Sequence, residues 1–247
     1  MLSLVGKAQV TFDVNSEEGY PLRYTVIDAV NRYVSVKLAS RLTVDDSFVK
    51  ITVPASVIKG GETEPYHVIE VADDGFAFSI NTSNIIKEQI ILPEGIKRIG
   101  NGAFKGNLGL TDFFFPSTLE EIGVEAFGSS ARSMETIDLS NTKITSLPYG
   151  GFAENPIFPP FPGTTTIKLP QTLQEISGRA FVHALVKTLE VPYNVRSIST
   201  VAFSTMRKLE NIEFKNPVPA TIMLNSPTDN VNYFFKGNDN LQTIYVP

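Results

Sequence analysis

Phenylalanine recurs at positions 76, 104, 127, 152, 181, 203 and 235, with spacings of 28, 23, 25, 29, 22 and 32 residues. A recurrence that carries the same neighbours each time marks a chain built from one supersecondary unit stacked on itself. The residue before each Phe is Gly75, Ala103, Ala126, Gly151, Ala180, Ala202 and, in the last unit, Phe234. Five positions before it stand Val71, Ile99, Ile122, Leu147, Ile176 and Ile198, a pattern that Asn230 breaks. Four positions before it the residues are mostly small: Ala72, Gly100, Gly123, Pro148, Ser177 and Ser199. The basic unit is 22 to 23 residues, and the longer spacings are insertions.

A second set of columns interleaves with the first. Ile51, Ile90, Phe113, Ile137, Ile167, Leu189, Ile212 and Ile244 are followed two residues later by Val53, Leu92, Phe115, Leu139, Leu169, Val191, Phe214 and Val246. A spacing of two puts both side chains on one face of a strand. Proline comes next at 54, 93, 116, 170, 192 and 247. It cannot donate to a ladder, so it fits where a strand leaves its sheet. Val57, Ile96, Leu119, Leu173 and Val195 form a third apolar column three residues after that position.

One unit therefore reads as a short strand, a Pro-marked turn, an extended stretch and a helical turn around Ala-Phe. A single unit cannot bury its apolar face; stacking aligns the strands into a parallel sheet and the Phe side chains into an inward column. Each buried Phe contributes about 1.5–3 kcal/mol over leaving it exposed. The expected fold is an α/β repeat solenoid of about seven units over residues 50–247. Residues 1–49 lack the repeat. There, Leu22 to Ile27 and Arg32 to Leu38 alternate around Asp28-Ala29-Val30-Asn31, which predicts an antiparallel hairpin. This β-rich cap would cover the open edge of the first unit.

The columns resemble the BspA-type leucine-rich repeat, approximately Leu-x-x-Ile-x-Ile-Pro-x-x-Val-x-x-Ile-Gly-x-x-Ala-Phe. Leu110 to Phe127, LTDFFFPSTLEEIGVEAF, fits with aromatic replacements, and Met134, Leu209 and Leu241 share the leading position of Leu110. The resemblance covers roughly residues 50 to 247. The 137–166 unit departs from it at Ser140 and Pro148, and the 212–243 unit lacks both Pro and Ile-Gly. The resemblance implies a leucine-rich-repeat horseshoe with a concave parallel sheet, short helical turns on the convex side and an N-terminal antiparallel cap. It also implies a bacterial surface or secreted interaction protein, with adhesion-like binding of host or matrix partners.

Composition narrows the chemistry. The 247 residues contain no Cys, which excludes disulfides, thiolate zinc sites and a cysteine nucleophile. A net charge of −5 argues against nonspecific nucleic-acid binding. The longest apolar runs, such as Ile90-Ile91-Leu92 and Phe113-Phe114-Phe115, are too short for a membrane span, and Met1 to Val5 is too short for a signal peptide. Any export signal is expected to be absent or already removed. Pro247 falls where a strand would leave its sheet, so the last strand either ends the domain or is followed by further sequence.

His67 lies in a strand-like stretch and His183 at a turn two residues after a repeat Phe, several units apart, so both are expected in structural or solvent roles. No GxSxG, HExxH, phosphate-loop or EF-hand spacing occurs, and no cofactor is expected. Asp45-Asp46, Asp73-Asp74 and Asn238-Asp239-Asn240 fall short of the six to eight oxygens that calcium takes and read as solvated turns.

The candidate binding surface is the outward face of the strand column. It reads Thr52, Ile91, Phe114, Asp138, Lys168, Glu190, Glu213 and Tyr245, flanked by Lys50, Gln89, Asp112, Thr136, Thr166, Thr188, Asn211 and Thr243. Ile91 and Phe114 are expected to be adjacent exposed apolar residues. The insertion at 154–163 places Phe158 and Phe161 among prolines, either as a polyproline recognition segment or folded back on the convex face. A second insertion runs from Asn216 to Asn230. The leading expectation is a non-enzymatic module binding a protein or glycan, monomeric or weakly self-associating. A carbohydrate-active parallel β-helix and a structural module of a longer surface protein are the rivals.

Overall fold

Every second N–H of the Ala-Phe turn is spent on the neighbouring unit. In the computed structural model, Gly102, Phe104 and Gly106 donate to the carbonyls of Val124, Ala126 and Gly128 at 2.8 to 3.0 Å. Glu125, Phe127 and Ser129 donate to the Tyr149, Gly151 and Ala153 carbonyls in the same manner, Phe127 to Gly151 at 2.9 Å. Intervening N–H groups close tight turns within the unit, as from Lys105 to the Gly102 carbonyl. The structure describes residues 9–40, 48–77, 87–107, 109–131, 134–153, 163–218, 221–223 and 234–247.

The expected helical turns are absent: the described residues contain strands and turns but no α-helix. The reason lies in the backbone. Two residues before the Phe, Gly102, Glu125, Gly150 and Arg179 have φ of 51° to 61°; two residues after it, Gly106, Ser129 and His183 have φ of 67° to 80°. Left-handed residues four apart cannot continue a right-handed helix. At the non-glycine positions their conformational cost is offset by the inter-unit hydrogen bonds, which pair buried backbone groups that would otherwise be orphaned.

The rings follow the turns. Phe76, Phe104, Phe127, Phe152 and Phe181 stack in sequence with centroids 5.1 to 6.0 Å apart. Phe113 and Phe115 meet Phe127 edge-on. In the last unit Phe235 keeps the backbone register, because Thr205 donates to the Lys236 carbonyl. However, it is the Phe234 ring that packs against Phe203, at 5.6 Å.

The repeats contribute strands to two ladders, numbered here along the chain. The first ladder carries the Ile-x-Ile columns in β4 (Phe48–Thr52), β7 (Lys87–Ile91), β10 (Thr136–Asp138), β12 (Thr166–Lys168), β14 (Thr188–Val191), β16 (Asn211–Phe214) and β18 (Thr243–Tyr245). The second carries the Ile-Gly column in β6 (Tyr66–Val71), β8 (Arg98–Ile99), β9 (Glu121–Ile122), β11 (Ser146–Leu147), β13 (Glu175–Ile176), β15 (Ser197–Ser199) and β17 (Thr221–Met223). β4 with β7, β10 with β12, β14 through β18, β6 through β9 and β11 through β17 pair in parallel within their ladders, as expected for stacked units. The stretch read from sequence only as extended is thus a second strand. Ile51, Ile90, Ile137, Leu189 and Ile212 are buried, whereas Ile244 in β18 is 49% exposed.

Small residues four before the Phe set the distance between units. A Cβ on Gly123 would lie 2.5 Å from the Asn101 nitrogen, and one on Gly100 would lie 2.5 Å from that of Asp73. Side chains complete the seam: the Asp73 carboxylate accepts the Asn101 N–H, and the Asn101 side-chain oxygen accepts the Val124 N–H. In the irregular 137–166 unit, one extra residue moves the third column from position 143 to Ile144, which is fully buried.

The N-terminal hairpin forms as expected. β2 (Pro21–Asp28) and β3 (Tyr33–Leu38) pair antiparallel from Leu22↔Leu38 to Val26↔Val34, and the Asp28 carboxylate accepts the N–H groups of Val30 and Asn31 in the turn. An additional strand, β1 (Thr11–Asn15), pairs with β2, while β3 joins β6 in parallel at the edge of the second ladder. The short β5 (Ser56–Val57) pairs antiparallel with β6. Glu18, in the β1–β2 turn, reaches across to β4, where its carboxylate accepts the Thr52 N–H at 2.9 Å and the Thr52 hydroxyl at 2.6 Å.

Candidate interaction surface

The first ladder is interrupted. β4 pairs with β7, β10 with β12, β14 with β16, and β16 with β18; the segment 111–116 between β7 and β10 pairs with neither. In this unit both Ile-x-Ile positions are Phe. Phe113 lies among Phe104, Phe115 and Phe127 at 4.8 to 5.0 Å, and Phe115 reaches Phe127 and Phe152. Two rings, where every other unit carries two aliphatic side chains or, at Phe214, a single ring, need more width, and the segment stands out of ladder register.

Phe114, between them, projects outward and is 81% exposed. Beside it lies a depression of about 370 Å³ lined by residues 111–115 and by Glu135, Thr136, Asp138 and Asn141 of the following unit. That volume is within the range of ligand-binding clefts. The Lys168 ammonium donates to Asp138 at 2.8 Å, and the Ser140 hydroxyl donates to the same carboxylate at 2.6 Å. These bonds, the one from Lys168 foremost, hold the Asp138 carboxyl below its usual pKa.

The other outward residues fall into separate groups. Thr52 and Ile91 are register partners across β4 and β7; Ile91, expected to be exposed beside Phe114, is instead half-buried. Asp138 faces Lys168, and Glu190, Glu213 and Tyr245 face one another in turn. Like charges at Glu190 and Glu213 would repel across the ladder. Lys215 relieves this, lying 3.2 Å from Glu190 and 2.8 Å from Glu213. Sequence reading passed over Lys215, although its position two residues after Glu213 was the available signal. Glu135, just before β10, had no such signal. Phe158 and Phe161 lie outside the described residues, as does most of the 216–230 insertion.

Other polar clusters are built into the fold. Arg98 donates to Glu70, Asp73 and Glu121 at 2.9 to 3.0 Å, tying three successive units. Burial foremost, with the nearby Asp73 and Glu121 charges, raises the Glu70 carboxyl pKa against the opposing pull of Arg98. Asn238 has a buried side chain that donates to the Phe203 carbonyl and accepts the Met206 N–H. Among the described residues no group of three His, Cys, Asp or Glu side chains could hold a metal ion, and no helix is long and apolar enough to cross a membrane.

A profile of the BspA type leucine rich repeat region matches in six copies, over residues 74–159 and 154–247. The chain belongs to this family of leucine-rich repeat proteins. The family assignment and the ladder together set aside the parallel β-helix weighed from sequence, even though each unit does carry more than one strand.

The fold is similar to that of a leucine rich cell surface protein from Faecalibacterium prausnitzii, at 21% identity and a TM-score of 0.50, over 83% of this chain and 55% of that one. The chain thus spans about half the length of that relative. A leucine-rich repeat protein of T. pallidum aligns at 17% identity and a TM-score of 0.47, over 86% of each chain. One from Bacteroides ovatus aligns at 16% identity and 0.34, over 94% of this chain and 70% of that one. No curated protein matches the sequence.

Proposed function

We propose that the chain is a non-enzymatic interaction module, at the bacterial cell surface or outside the cell, that binds a protein or glycan through the outward face of the first ladder. The observation that carries this reading is Phe114, an aromatic side chain left 81% exposed beside a depression where the ladder is open. A large apolar group at the mouth of a concave site is the usual anchor of a recognition surface. Asp138, Lys168, Glu190, Glu213 and Tyr245 extend the same face with polar contacts, which set partner choice more than affinity. Ile91, Phe158 and Phe161 complete the candidate set. In this reading residues 1–49 form the cap, residues 50–247 the array, and the chain acts as a monomer or a weak homo-oligomer.

The test is binding of immobilised host matrix proteins and glycans by the chain and by Phe114→Ser. Loss of binding in the variant supports the assignment; equal binding by both removes Phe114 from the site. Release of sugar products on incubation with acidic or neutral polysaccharides would show an enzyme instead.

A further inference from the structure

The gap beside Phe114 is bordered by an unpaired strand edge. Alternate groups of β10 already point to β12: the Thr166 N–H donates to the Glu135 carbonyl at 3.1 Å, and the Leu139 N–H donates to the Lys168 carbonyl at 2.8 Å. Strand alternation then turns the N–H and C=O groups of Thr136 and Asp138 toward the gap. Both residues line the depression, as do Asp112 and Glu135. Asp138 is matched by Lys168. Asp112 and Glu135 have no ion-pair partner among the described residues.

We infer that this depression takes an extended peptide segment carrying lysine or arginine next to an aliphatic or aromatic residue. The inference rests on the interaction reading above and names its ligand class. Each part of the peptide meets a different feature. Its main chain adds to the open edge of β10, which offers donors and acceptors at Thr136 and Asp138. Its apolar side chain covers the Phe114 ring. Its cation lies against Asp112 and Glu135, which supply the charge that the rest of the site leaves unbalanced. The same carboxylates repel sialylated or sulfated glycans and acidic peptides, since like charges brought together across an interface oppose association. A neutral glycan would stack on Phe114 but would use neither carboxylate.

The experiment is a positional-scanning octapeptide library on the full chain, with the best peptide then titrated by fluorescence anisotropy at low and high salt. The selected peptides are expected to combine basic with apolar residues and to weaken as salt rises. Phe114→Ser, and separately Asp112→Asn with Glu135→Gln, are each expected to weaken binding about tenfold or more, the size of a loss at an interface anchor. All these side chains are on the surface, so an unchanged melting curve establishes that the variants are folded. A selection without basic residues, or peptide binding unchanged in both variants, overturns the inference. So does a neutral glycan that binds through Phe114 when no peptide does. If matrix proteins or glycans still bind but neither variant affects them, this site falls while the interaction reading stands. If the chain binds nothing in either format, both fall.

Discussion

The two strand ladders are drawn from the same repeats and differ in continuity. The first is broken between β7 and β10 and again between β12 and β14. The second is broken once, between β9 and β11, and even there the Lys143 N–H donates to the Leu119 carbonyl at 2.8 Å. Beside the second ladder run the Ala-Phe turns, bonded from unit to unit between Asp74 and Lys236. Where units meet at Gly100 and Gly123 there is no room for a Cβ, so close stacking is enforced on this side. The first ladder has no such restriction, and its inward positions range from Val to Phe. The division of labour follows: the turns and the second ladder hold the array together, which leaves the first ladder free to vary its width and present a surface.

The comparison can be broken most directly at Phe127, whose ring meets four others. Phe127→Ala is expected to destabilise the chain by about 3–5 kcal/mol, read by chemical and thermal denaturation. A loss no larger than that of a surface substitution would mean that the turn side does not carry the array.

Gly123→Ala comes next. Its methyl group would lie 2.5 Å from the Asn101 nitrogen and 2.6 Å from the Gly100 carbonyl carbon, both backbone atoms. Forcing units apart there is expected to cost about 1–3 kcal/mol in the same measurement. Wild-type stability would show that the seam has slack.

Glu18 gives a smaller effect with a pH signature. Partial burial pushes its carboxyl up, but the hydrogen bonds from Thr52 and Ser16 outweigh this and hold its pKa at about 2, against an ordinary value of 4.5. A folded-state pKa below the unfolded one gives stability that is present above the unfolded value and lost as pH falls through the folded one. Glu18→Gln is therefore expected to cost about 1 kcal/mol at neutral pH, a modest figure because the group is near solvent. The gap between variant and wild type should close between pH 4.5 and 2. A gap that persists at pH 2 would show that the carboxylate charge is not what ties the cap to β4.

The smallest stability effect belongs to Phe114. Phe114→Ser is expected to change stability by less than about 0.5 kcal/mol, because an 81% exposed ring has little packing to lose. A large loss would place this ring among the structural ones and end the contrast between the ladders.

Much of the fold was legible in the columns. The inward Phe residues, the Ile-x-Ile strand positions and the hairpin from Leu22 to Leu38 all follow from local periodicity, which is set by which side chains must leave water. The outward row was legible for the same reason, since alternation places Phe114 opposite its buried neighbours. The second ladder was harder, because two residues such as Glu121 and Ile122 carry no alternation to read. The turn conformation was harder still. Glu125, Ser129, Arg179 and His183 adopt positive φ without being glycine, and nothing in their chemistry announces it.

The sequence by itself therefore determined the repeat, its period and the face each column takes, because these depend on neighbours a few positions away. Tertiary structure alone decided which units join in a ladder. It converted the expected helical turn into a hydrogen-bonded seam, moved Ile144 into the third column and let Phe234 pack against Phe203. It also brought Glu18 to Thr52, 34 residues along the chain, and opened the ladder at Phe114. Each of these outcomes rests on the volume and hydrogen bonds shared between segments distant in the chain, which no local pattern encodes.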